Sequence, residues 1–103
     1  SKIQEETTNL ALDQVKINLE STIQRAFTDA KAALKAFEAA QLSLKSQELA
    51  FSNSQERFSL GALNSFDLEQ SRIRLLNALS SSINAKYDFI FKTKVLDYYL
   101  GKR

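Results

Sequence analysis

Four carboxylates stand close enough along this chain to gather at one end of a folded hairpin: Glu48, Glu56, Asp67 and Glu69. Grouped carboxylates can hold a cation or share a proton, but acid–base work needs an enclosed site that shifts their pKa values. Two helices lying side by side enclose nothing, so these acids read as solvated surface charge, as do Lys31, Lys35 and Lys45. The 103 residues contain no Cys and no His. That removes thiolate and imidazole ligands, nucleophilic cysteine and His-based triads together. No catalytic residue, no cofactor and no metal site is expected, and the chain does not read as an enzyme. Its 14 bases and 12 acids are dispersed for a net charge of +2, and no basic patch interleaved with aromatics points to nucleic acid.

The elements that would position any site are helices. There is no proline, and Gly61 is one of only two glycines. Glycine takes positive φ without penalty and so ends helices at C′. Asn64 or Ser65 can cap a following helix through a side-chain oxygen. The expectation is an all-α antiparallel hairpin with coiled-coil packing spanning 1–103, its first helix (about 3–59) longer than its second (about 66–100), joined by a turn over about 60–65. No stretch reaches the ~18 consecutive apolar residues of a membrane-spanning helix. Ser1, with no initiator Met and no apolar leader after it, reads as an internal start.

Two kinds of stripe run along each helix, and the first helix adds a third edge with Ala32, Ala36, Ala39, Leu42 and Leu49. Ile23, Phe27, Ala30, Leu34, Phe37, Gln41, Leu44, Glu48, Phe51, Gln55 and Phe58 form a bulky heptad seam; Ala26, Ala30, Ala33, Phe37, Ala40 and Leu44 form a smaller one beside it. The second helix repeats this, with Phe66, Ile73, Leu76, Ser80, Ile83, Tyr87 and Ile90 as the bulky seam and Leu75, Ala78, Ser82, Ala85, Phe89 and Leu96 as the other. The aromatics read as packing residues. Folding the bulky seams together about Ala62 predicts that Phe58 meets Phe66, Phe51 meets Ile73, Phe37 meets Tyr87 and Leu34 meets Ile90. It also leaves residues 1–20 without a partner, with Leu10, Leu12, Val15, Ile17, Leu19 and Ile23 bare.

The run Glu56-Arg57-Phe58-Ser59-Leu60-Gly61-Ala62-Leu63-Asn64-Ser65-Phe66-Asp67-Leu68, followed by Leu75-Leu76-Asn77-Ala78, Ala85-Lys86-Tyr87-Asp88-Phe89-Ile90 and Leu96-Asp97-Tyr98-Tyr99-Leu100-Gly101, resembles the TolC family of outer membrane efflux proteins. The shared pattern is an aromatic, a glycine, a short polar turn, an Asp, and a leucine-rich helix with an Ala-x-Tyr motif closing on Leu-Gly. The resemblance implies the periplasmic helical hairpin of the second repeat, in a homotrimeric channel of a Gram-negative outer membrane. It implies that Phe58, Ser59, Leu60, Gly61, Ala62, Leu63, Asn64 and Ser65 form the tip that docks a periplasmic adaptor (membrane fusion) protein of a tripartite pump, with the inner membrane pump engaged indirectly. Asp67 and Gln70 fall at the family's tip constriction. Gln70 replaces a second acid, and Leu63 stands where some members place an arginine that ties the closed tip, so the sequence departs from an acidic, charge-latched gate. Asp67 has a plainer reading too, as an anion offsetting the dipole of a helix N-terminus.

The function implied is passive export through a tunnel wall. The alternatives are a filament-type helical hairpin or a coiled-coil oligomerisation module, and amphipathic strands before Ser1 would separate the first reading from these. The uncovered seam predicts self-association of the isolated chain.

Overall fold

The computed structural model describes residues 1–101 as two antiparallel helices, α1 (Lys2–Ser59) and α2 (Ser65–Tyr99), with no strand among them. The hairpin measures 89 × 23 × 13 Å, and α1 alone accounts for that length at 1.5 Å per residue. Its alanine-rich, proline-free sequence suits a helix of 58 residues. Propensity alone sustains no such helix in water, so the packed face matters.

That face is the small one. In α1, burial recurs at Ala26, Ala30, Ala33, Phe37, Ala40, Leu44, Gln47, Phe51 and Ser54, stepping by four and three. In α2 it recurs at Leu68, Ser71, Leu75, Ala78, Ser82, Ala85 and Phe89 with the same alternation. The five most deeply buried residues are Ala26, Ala30, Ala33, Ser71 and Ser82. Small side chains at these five positions let the two backbones approach closely, and Phe37, Leu44, Phe51, Leu68, Leu75 and Phe89, half-buried on the same face, fill the space between them.

The bulky seams do not face each other, which corrects the pairing expected from sequence. Phe37 stacks on Phe89, with ring centroids 6.4 Å apart and an interplanar angle of 15°, while Tyr87 is 63% exposed. Phe58, Phe66, Ile73, Leu76, Ile83 and Ile90 are exposed as well. At about 100° per residue, α2 is rolled roughly 150° from the expected orientation and α1 only about 50°, because α1's two stripes share Ala30, Phe37 and Leu44. The register moves by one to two residues as a result, with Ser54 opposite Ser71.

The second helix ends level with the Thr22–Ala26 turn of α1, where Thr22, Arg25 and Ala26 share a shallow groove with Val95 and Tyr99. Residues 1–21 are exposed throughout. Over that stretch α1 is a lone helix bearing Ile3, Leu10, Leu12, Val15, Ile17 and Leu19 in the open.

Candidate docking tip

The turn at the far end is built by capping interactions from both helices. Gly61 has φ +75°, in the left-handed region that glycine alone enters freely. Its N–H donates to the Phe58 carbonyl at 3.0 Å, and the Ala62 N–H donates to the Arg57 carbonyl at 2.8 Å. With Leu60 as C-cap, this pair of bonds is a complete Schellman motif and satisfies the Arg57 and Phe58 carbonyls at the end of α1.

On the other side Asn64 is the N-cap of α2, its side-chain oxygen accepting the Asp67 N–H at 2.8 Å. Leu63 and Leu68, the residues at N′ and N4, are both half-buried, the positions of a hydrophobic staple. Leu63 thus has a structural part in fixing the chain's entry into α2, which sequence reading missed. The signal was present in Leu63-Asn64-Ser65-Phe66-Asp67-Leu68, an N-cap flanked by two leucines.

Around this frame the tip is largely bare. Leu60 is 76% exposed and Phe66 69%, and Ser59, Gly61, Ala62, Asn64 and Ser65 are also exposed. Phe58 is exposed on the α1 side. The Ser59 hydroxyl turns inward, donating to the Glu56 carbonyl at 2.7 Å. Asp67 lies exposed in the first turn of α2, where its charge opposes the helix dipole. Gln70, one turn on, is half-buried. Of the four carboxylates, Glu69 pairs with Arg72 of its own helix at 3.4 Å, an exposed i,i+3 contact worth little in water. Arg72 also lies over the Phe51 ring, 5.8 Å from its centroid. The tip therefore offers apolar side chains and turn backbone on a rigid, doubly capped loop, which suits the seating of another protein.

Along the shaft one flank is largely apolar, a groove lined by Phe27, Ala30, Leu34, Phe89, Thr93 and Leu96 together with Lys31. The other flank is small and polar, with Ala39, Ser43, Gln47, Asn77 and Ser81 around a second shallow groove. No helix among the described residues is long and apolar enough to cross a membrane.

Against known proteins, the sequence model of one family, described as outer membrane efflux protein, matches residues 1–102. No curated protein and no solved structure matches the chain.

Proposed function

From the premise that this chain belongs to the outer membrane efflux protein family, we propose that it forms part of the periplasmic tunnel wall of an export channel and that its Gly61 turn is the adaptor-docking tip. The family is one of channel and transport proteins associated with the outer membrane. Within it, a helical rod 89 Å long with exposed apolar stripes suits a stave of a tube, buried by neighbours on its flanks. Export through such a tube is passive, driven by the other pump components.

The observation that carries the docking role is the exposed apolar tip on a doubly capped turn. A turn already fixed by its caps gains nothing by leaving Leu60 and Phe66 in water, whereas an apolar anchor clustered at one end of a rod is what a partner's pocket uses. The proposed partners are a periplasmic adaptor directly, an inner membrane pump through it, and two further copies of the intact protein in a homotrimer. Asp67 and Gln70, on the first turns of α2, are the proposed constriction positions.

The test is adaptor capture by the intact channel protein carrying Leu60→Glu, a change that leaves the Schellman bonds in place. A drop of tenfold or more in bound adaptor is expected, about 1.4 kcal/mol or more. Gly61→Val should weaken capture too, through distortion of the turn. Undiminished capture by both variants would sink the assignment of the tip.

A further inference from the structure

Each helix of this hairpin could meet the other through either of two faces. The bulky face of α2, with Phe66, Ile73, Leu76, Ile83, Tyr87 and Ile90, would remove more apolar area from water than the face that is used. Hydrophobic area alone therefore does not explain why the small face is turned inward. Something specific to the small face must tip the balance.

One interaction on that face is directional and joins the two helices. The Ser54 hydroxyl donates to the Ser71 hydroxyl at 3.0 Å, and among the described residues it is the one hydrogen bond between side chains of the two helices. Ser71 is 2% exposed, the most deeply buried side chain described. No buried side-chain nitrogen or oxygen among the described residues lacks a partner. Next to Ser71, Arg72 reaches the Phe51 ring, so directional contacts from two consecutive α2 residues meet α1 within one turn of each other.

We infer that the Ser54–Ser71 hydroxyl pair is a face selector: it fixes which side of α2 packs on α1 and keeps the bulky seam turned outward. A hydroxyl buried at an interface is tolerated only where its partner is in place. Rolling α2 by about 150° would carry Ser71 away from Ser54 and break the bond, and the remainder of the small face has no second hydrogen bond between side chains of the two helices to replace it. A single polar residue at a buried heptad position is the best-attested device of this kind, setting alignment at some expense of stability. The inference holds whatever the chain's role in transport, because it concerns the pairing of α1 with α2 alone.

The natural sequence has no cysteine, so disulfide trapping reads the packed face directly. In one background Ala40→Cys and Ala85→Cys report the small faces, both positions being half-buried on the interface. In another, Gln41→Cys and Ile83→Cys report the bulky ones. With Ser54 and Ser71 intact, the first pair should close within one chain in preference to the second. In Ser54→Ala/Ser71→Ala, that preference should fall by about fivefold, the factor carried by a typical net hydrogen bond. Ser54→Thr, which keeps a hydroxyl, should retain the natural preference. An unaltered preference in the double alanine variant would overturn the inference. So would loss of helical circular dichroism in that variant, since alanine is the better helix former and collapse would show that the bond supplies stability rather than choice.

Discussion

At the scale of single residues, the turn depends on a backbone conformation and on one side-chain cap. A Cβ built on Gly61 meets nothing within 4 Å, so any substitution there is penalised by its positive φ and not by a clash. Gly61→Ala should destabilise the hairpin by about 1–2 kcal/mol, and Gly61→Asn by less, because Asn tolerates this region. Urea unfolding followed by circular dichroism checks the order; equal losses for both variants would contradict it. Asn64→Ala removes the acceptor of the Asp67 N–H and should cost about 1 kcal/mol in the same measurement. Glu69→Gln, which breaks only the exposed contact with Arg72, should change stability by less than about 0.5 kcal/mol. Gly61 was legible from sequence because glycine is so scarce here. Ser71 was not, because nothing in a serine's surroundings along the chain marks it as the most buried residue.

At the scale of the elements, existence and order were plain in the sequence, and facing was not. Heptads recur whether a seam meets its hairpin partner or a neighbour outside the hairpin, and the bulkier seam draws attention because it is more apolar. What the sequence lacks is the identity of whatever lies on the outer side. Large seams were accordingly paired with each other, whereas Ala26, Ala30 and Ala33 make the contact. The close approach these residues allow gives a sharp contrast between sites. Ala33→Leu, at a position 5% exposed, should overpack the interface and destabilise by about 1–3 kcal/mol. Leu42→Ala, an exposed position of the same helix, should stay within about 0.5 kcal/mol. Thermal unfolding of the two variants decides it, and similar shifts would mean that the small seam is not the interface.

At the scale of the whole molecule, the two arms are unequal, and the excess of α1 stands alone for about 32 Å. The overhang was visible from a count of residues outward from Gly61. A lone helix in water is marginal, so amides of residues 5–20 should exchange with deuterium much faster than those of residues 26–55, which pack against α2. Comparable protection in both stretches would mean that the overhang is covered, by another copy for instance. The outward seam of α2 makes self-association the expected behaviour of the isolated chain at moderate concentration. Sedimentation equilibrium should give a mass above 11.6 kDa that falls toward it in Ile73→Glu/Ile83→Glu, while a monomer before substitution would refute the expectation.

The doubly capped turn has one more consequence. The amides of Leu60, Gly61 and Ala62 all point back into α1 and are spent on its last carbonyls. No backbone amide among the described residues donates to the carbonyls of Leu60, Gly61, Ala62 or Leu63. The amides of Leu63, Asn64, Ser65 and Phe66 likewise find no acceptor among the described residues. The polar lining of the apex is thus two-sided, free carbonyls from the turn beside free amides at the start of α2, between two exposed apolar side chains. Whatever settles on it can answer the carbonyls with donors and the first amides of α2 with an acceptor, so a surface able to do only one of these leaves half of the apex bonded to water.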